Sequence, residues 1–265
     1  MRMIARVAFL TDIGRKRQNN EDSYIVYPLD GTPPPSGGEE HTLALGSPGL
    51  LLAVADGMGG HFGGEVASRL GVETLAQQLL QQMQNPDAEL SDPQAILRQA
   101  VEATHVAVYT HSQSYSEGLT MGATLTAAWL VENRAAIAQV GDSRLYLFRE
   151  GNLMLLTRDQ TIGNLFRSRG EGSVKITEKM KEMLTQAVGA QPDIEVITSA
   201  VDLQPGDWLL LCSDGLYKAV PSEGLVDCLR AAGNAAVKAG NLISRANENG
   251  GWDNITAILA EIHAA

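Results

Sequence analysis

Two apolar runs in this sequence end in the same way. Leu50-Leu51-Leu52-Ala53-Val54-Ala55 leads into Asp56-Gly57, and Trp208-Leu209-Leu210-Leu211-Cys212-Ser213 leads into Asp214-Gly215. Each reads as a buried strand with a carboxylate at its mouth. An ionised carboxylate at the margin of an apolar core is costly unless something compensates it. Few Lys or Arg stand near either acid in sequence, so a bound cation is a natural counter-charge. The glycine after each Asp lets the backbone approach closely, so a main-chain carbonyl can ligate as well.

Three further acidic positions join these two. Asp253 follows Gly250-Gly251-Trp252, the pair Glu21-Asp22 precedes a short apolar run at Tyr24, and Asp142 stands in Gly141-Asp142-Ser143-Arg144. Taken singly, each has a plain structural reading. Asp-Gly favours turns, an Asp in a Gly-rich stretch caps or turns the chain, and adjacent acids at a loop end are commonly a solvated face. Asp142 could equally be a turn residue paired with Arg144. Taken together, carboxylates without cysteine or clustered histidine select hard cations, so Mg²⁺ or Mn²⁺ is expected rather than Zn²⁺. Two such ions sharing a carboxylate can position and deprotonate a water for attack on phosphorus.

Composition removes several competing classes. The chain has 265 residues, with 20 Lys+Arg against 31 Asp+Glu and a net charge of −11, which disfavours a polyanionic partner such as nucleic acid. Its two cysteines, Cys212 and Cys228, can build neither a disulfide scaffold nor a cysteine zinc site, and the five histidines show no ligand spacing. No apolar run approaches the length of a membrane span. Arg6 interrupts the apolar start and no small-residue cleavage site follows, so no signal peptide is expected and a cytoplasmic protein is.

The elements that must position these acids can be read from periodicity. Strands are expected over 4–10, 24–27, 50–55, 123–131, 135–140, 143–148, 194–199, 208–212 and 255–262. Helical spacing predicts helices over 65–83, 92–114, 222–232 and 234–247, the second opened by Asp92-Pro93 as N-cap and first-turn proline. Residues 28–49 hold Pro33-Pro34-Pro35 and Gly37-Gly38 and read as an exposed loop. Strands grouped around helical pairs suggest an α+β layer fold in one domain.

The motifs, in order, resemble those of a known family. They are Thr11-Asp12-Ile13-Gly14, Arg17 ahead of Glu21-Asp22, Ala55-Asp56-Gly57-Met58-Gly59-Gly60-His61, Gly122-Ala123-Thr124, Gly141-Asp142-Ser143-Arg144, Ser213-Asp214-Gly215-Leu216 and Asp253-Asn254-Ile255-Thr256. Spread over nearly the whole chain, they resemble the bacterial form of the PPM (type 2C) metal-dependent protein serine/threonine phosphatases. The resemblance implies one catalytic domain over 1–265, a four-layer α-β-β-α sandwich with two central antiparallel sheets. It implies a binuclear Mn²⁺/Mg²⁺ centre, with a weaker third ion, that hydrolyses phosphoserine and phosphothreonine on proteins. Asp56 would bridge two ions, the Gly57 carbonyl would bind one, and Asp214 and Asp253 would hold the other. Asp22 would ligate directly or through water, and Glu21 beside it would orient water. Arg17 would grip the substrate phosphate, and His61 would give a proton to the leaving oxygen. Asp142 would share the third ion with Asp214.

The resemblance further implies phosphoprotein substrates supplied by a serine/threonine kinase, with a monomeric enzyme expected. The loop over 28–49 is longer than the family's usual hairpin. The segment at about 158–184, at the place of the family's flap, is also unusual, with a local excess of Arg and Lys. Two other readings stay open on the residues alone: a phosphatase-fold regulatory module without turnover, and another metal-dependent phosphoesterase.

Overall fold

The computed structural model describes residues 3–59, 63–84, 92–114, 121–170 and 176–265. Strands β1 (Met3–Asp12), β3 (His41–Ala44), β8 (Arg144–Arg149), β9 (Asn152–Leu155), β11 (Trp208–Cys212) and β12 (Ile255–Ala264) form one antiparallel sheet in the order β3-β1-β12-β11-β8-β9. A second antiparallel sheet runs β10 (Ile197–Asp202), β7 (Arg134–Val140), β6 (Leu125–Val131), β4 (Leu50–Gly59), β2 (Asp22–Pro28). The short β5 (Met121–Ala123) pairs with the far end of β4. Helices α1 (Gly63–Gln84) and α2 (Pro93–Gln113) cover the second sheet. Helices α5 (Asp214–Ala219), α6 (Ser222–Arg230) and α7 (Ala235–Glu248) cover the first. Two short helices, α3 (Ile162–Ser168) and α4 (Glu178–Lys181), lie in the segment at about 158–184 and bury none of their side chains.

The layering explains why the central strands read as unbroken apolar runs. In a strand, alternate side chains leave by opposite faces. Leu51, Ala53 and Ala55 of β4 enter the core beneath α1 and α2, while Leu50, Leu52 and Val54 enter the core between the sheets. Strand β11 divides likewise, with Leu209 and Leu211 facing the other sheet and Leu210 and Cys212 facing α5–α7. A strand covered on both faces has no solvated side to carry polar residues. Each such buried Leu stabilises the fold by about 1.5–3 kcal/mol.

Helix α2 begins as the Asp92-Pro93 pair predicts, the Asp92 carboxylate accepting from the Gln94 and Ala95 amides. Other elements depart from expectation. The run over 123–131 is two strands, because Thr124 leaves the ladder and turns its hydroxyl to the Asp56 amide. The strand expected at 194–199 begins only at Ile197. Ile194 and Val196 are apolar because they pack under the helices, not because they pair. Helix α5 (Asp214–Ala219) is absent from the sequence reading, which expects no helix between the strand over 208–212 and residue 222. Within 28–49, residues 30–40 are largely exposed. His41–Ala44, however, pairs with β1 as β3, and Leu45 is fully buried, so that end of the expected loop is an edge strand. Among the described residues no helix is long and apolar enough to cross a membrane.

Candidate metal centre

Strand register places the first two acids. Asp22 and Asp56 are direct partners across β2 and β4, at the end where both strands leave the sheet. Like charges directly opposite destabilise a strand pair, so this placement demands compensation. Asp22 finds part of it across the sandwich. Its Oδ2 accepts from the Ser213 hydroxyl at 2.6 Å and the Thr256 hydroxyl at 2.7 Å, both carried by the other sheet's end. Its Oδ1 is buried without a partner among the described residues. Asp56 is held through its backbone: its amide donates to Thr124 Oγ1 at 2.9 Å and its carbonyl accepts from the Thr124 amide at 2.9 Å.

Gly57 must be glycine for a steric reason. A Cβ there would run into the Gly64 carbonyl, and the Gly57 amide is already committed to the Glu21 carbonyl at 3.0 Å. The strand end is thereby clamped against the start of α1. Glu21 is fixed in turn, its amide donating to Asn254 Oδ1 at 2.8 Å. The same Asn254 amide group donates to the Ile13 and Asn19 carbonyls, so one side chain shapes the loop that carries Arg17.

Asp214 opens α5 directly after β11, and Gly215 lies so close to the Asn254 carbonyl that no side chain fits. Asp214 Oδ2 meets Lys218 Nζ at 2.7 Å, whereas Oδ1 is buried and unpartnered among the described residues. Asp253 follows a turn in which Gly250 and Gly251 have φ of +124° and +51°, and it accepts from Arg17 Nη2 at 2.7 Å. Asp142 is buried at the turn between β7 and β8, its Oδ2 accepting from the Tyr217 hydroxyl at 3.3 Å. The alternative partner for Asp142 is engaged elsewhere. Arg144 forms a bidentate pair with Asp159 at 2.9 and 2.7 Å and stacks on the Tyr217 ring.

Arg17, Glu21, Asp56, Asp142, Asp214 and Asp253 line one cleft of about 300 Å³. Asp22 is not in that lining; it sits behind Asp56. A second hollow of about 320 Å³ continues from the cleft along Glu182, Lys218 and Trp252. Trp252 at its rim is 68% exposed, with Lys16 Nζ 5.1 Å from the ring centre. Cys212 is buried. His61 lies outside the described residues.

The electrostatics of the cleft are those of negative charge without enough counter-charge. Burial, reinforced by the neighbouring acids, pushes the Asp142 carboxyl up to about 7. Burial likewise raises Asp22 against the pull of its two hydroxyl donors. Asp56 is raised well above the carboxylate range by burial and by Asp22, Asp214, Asp142 and Asp253. Burial raises Glu21 too, with Arg17 opposing it. The hydrogen bond to Asp253 is the main cause that raises Arg17.

This donor set fits a hard divalent cation. It is all oxygen, it repels itself, and two of its buried oxygens have no partner among the described residues. Among the described residues no three His, Cys, Asp or Glu side chains are close-set enough to hold an ion. Mg²⁺ and its like keep several waters and take only one or two carboxylates each, so an open set suits them. Sequence reasoning misses four contributors: Thr124, Asn254, Tyr217 and Lys218. Thr124 and Asn254 do stand inside the recognisable motifs.

Comparison with known proteins adds the following. The sequence model of the family described as Protein phosphatase 2C matches residues 41–242. The chain is 34% identical over 255 residues to the serine/threonine phosphatase Stp of Listeria welshimeri, covering 96% of this chain and 94% of that one. It is similar to the solved catalytic domain of the serine/threonine protein phosphatase PstP in complex with two manganese ions. There the identity is 33% and the TM-score 0.77, over 99% of this chain and all of that one. It is also similar to the structure of the serine/threonine phosphatase Stp1 from Staphylococcus aureus, at 27% identity and a TM-score of 0.80, over 97% and 95% of the two chains.

Proposed function

Because this chain belongs to the protein phosphatase 2C family, we propose that it hydrolyses phosphoserine and phosphothreonine on proteins in the cleft between its sheets, using divalent cations. The observation that carries the reading is the convergence of four aspartates, Asp56, Asp142, Asp214 and Asp253, on one opening, with Asp22 paired behind Asp56 and with Oδ1 of Asp22 and of Asp214 buried and unpartnered among the described residues. The wider proposal is one catalytic domain, monomeric and cytoplasmic, acting on substrates of a serine/threonine kinase.

Asp56, the Gly57 carbonyl, Asp214 and Asp253 are the proposed ligands of two Mn²⁺ or Mg²⁺ ions. Asp22 supports them from behind, and Asp142 with Asp214 takes a weaker third. When bound, such ions supply positive charge to the phosphoryl oxygens and lower the pKa of water. The remaining work belongs to the chain. Arg17 has five N–H donors and commits one to Asp253, which leaves the others for phosphate oxygens at the cleft mouth. Its planar guanidinium suits a tetrahedral dianion better than an ammonium would. Glu21, fixed by the Asn254 bond, orients water in the cleft. His61 is the proposed proton donor to the departing seryl or threonyl oxygen.

The deciding experiment is hydrolysis of a phosphopeptide by protein stripped with chelator and then resupplied with Mn²⁺ or Mg²⁺. Turnover should vanish and return. Full turnover by protein confirmed to be metal-free would overturn the reading.

A further inference from the structure

Helix α5 places two consecutive side chains on the two acids proposed for the third ion. The Tyr217 hydroxyl donates to Asp142 Oδ2 at 3.3 Å, and Lys218 Nζ sits 2.7 Å from Asp214 Oδ2. Lys218 has a second partner. Its Nζ is 3.6 Å from Glu182 Oε2, in the residue that caps the C-terminus of α4. Glu182 and Leu184 line the same cleft as the acids, so this is where the segment at about 158–184 meets the site. Neither α3 nor α4 buries a side chain, and the stretch 176–184 is tied to α3 by the Ile162 amide on the Met183 carbonyl at 2.9 Å, so the Lys218–Glu182 contact is what joins it to the acids.

We propose that Lys218 is a positioning residue, a tethered cation that occupies Asp214 in place of the third divalent ion and, through Glu182, ties the flanking segment to that occupancy. This rests on the two-metal reading above and deepens it. The reasoning is one of charge. An ammonium at hydrogen-bond distance from Asp214 Oδ2 neutralises the carboxylate that would help hold a third ion. A divalent ion arriving there must displace Lys218 against like-charge repulsion, which is strong in a half-buried cleft. The displaced side chain has a carboxylate waiting at Glu182, so uptake of the third ion tightens the Lys218–Glu182 contact. Lys218 is the fourth residue after Asp214 on the same helix, so its reach does not depend on the rest of the fold. Three features therefore belong to one device: the weakness of the third site, the Lys218–Asp214 pair and the seating of residues 176–184.

The test uses the full chain, stripped with chelator and titrated with Mn²⁺ in a calorimeter, with hydrogen exchange followed over 176–184. Lys218→Met should tighten the weakest Mn²⁺ step about tenfold or more, within the usual range of coupling between sites. It should also speed exchange over 176–184 with and without Mn²⁺. Lys218→Arg should restore both properties toward those of the parent. Glu182→Gln should loosen 176–184 while leaving the weakest Mn²⁺ step within a few-fold of the parent. An unchanged weakest step in Lys218→Met, with the tighter Mn²⁺ ions still bound, would overturn this proposal and leave the two-metal reading standing. So would a raised KM for phosphopeptide at unchanged Mn²⁺ affinity, since that describes direct substrate contact. A parent protein that takes up no Mn²⁺ at all would overturn both.

Discussion

Asp22 and Asp56 face each other directly across β2 and β4, so an acid of the cleft and the acid behind it are a cross-strand pair of like charge. Nothing in sheet formation favours that pairing. It persists because Ser213 and Thr256 reach over from the other sheet to one carboxylate, and because a proton or a cation can neutralise the rest.

The first prediction follows from those protons. Asp22, Asp56 and Asp142 all hold their protons more tightly in the folded chain than at the ordinary carboxylate value, Asp142 up to about 7. The folded state then binds more protons than the unfolded one between about pH 4 and pH 7, so stability falls as pH rises through that window. Metal-free protein should melt several degrees lower at pH 8 than at pH 5, and Mn²⁺ should restore most of the difference at pH 8 and little at pH 5. Scanning calorimetry at both pH values, with and without Mn²⁺, reads this out. A metal-free protein more stable at pH 8 would contradict it.

Arg17 should separate substrate from metal. Loss of a charge-assisted phosphate contact corresponds to about 1.5–3 kcal/mol, or roughly ten- to hundred-fold in kcat/KM. Arg17→Ala should show that loss on phosphopeptides. Its Mn²⁺ affinity should stay equal to the parent's or rise slightly, because Asp253 is released from the guanidinium. Steady-state kinetics beside calorimetry checks both halves, and a fall in Mn²⁺ affinity would remove Arg17 from its proposed role.

Asp142→Asn tests the acid proposed for the third ion. The structure gives Arg144 to Asp159, so the substitution orphans no arginine. The Asn side-chain oxygen can still accept from the Tyr217 hydroxyl, and stability should stay within about 1 kcal/mol, the net worth of one hydrogen bond. The tighter Mn²⁺ ions should still bind, while kcat drops by an order of magnitude or more. An unchanged kcat would strike Asp142 from the site.

Gly57→Ala should be far harsher than its one methyl group suggests. The added Cβ meets the Gly64 carbonyl, part of the backbone at the start of α1, so strand end and helix must separate. We expect a loss of more than about 3 kcal/mol, at the severe end for single substitutions. Mn²⁺ binding should fall with it. Melting temperature and Mn²⁺ titration report the two effects, and a normal Tm would show that the clamp is loose.

Much of this was legible in the chain itself. The acids announce themselves because a carboxylate after a doubly buried strand has no ordinary reason to be there, and Asp-Gly repeats the signal at Asp56 and Asp214. The same uninterrupted strands point to sheets covered on both faces, whereas the sandwich of two sheets was implied only by the family resemblance of the motifs. Residues whose partners lie far away were not legible. Asn254 acts on Glu21 across 233 positions and Thr124 on Asp56 across 68, through side-chain-to-backbone bonds that leave no periodic trace. Arg144 invites pairing with nearby Asp142, yet the β8–β9 hairpin and the chain after it bring Asp159 to it instead. Lys218 stayed hidden because its effect needs α5, a six-residue helix too short to show amphipathic spacing.

Trp252 carries one more consequence. Of the three tryptophans, Trp129 and Trp208 are 3% and 8% exposed, while Trp252 is 68% exposed beside Asp253. Buried indoles emit toward the blue and a solvated one toward the red, so light collected at the red edge of the spectrum comes mainly from Trp252. A paramagnetic Mn²⁺ arriving at Asp253 would quench that emission, and a peptide drawn across the opening would shift it. The chain thus has its own fluorophore at the mouth of the cleft, and titrations of cation or substrate can be followed optically without attaching a dye.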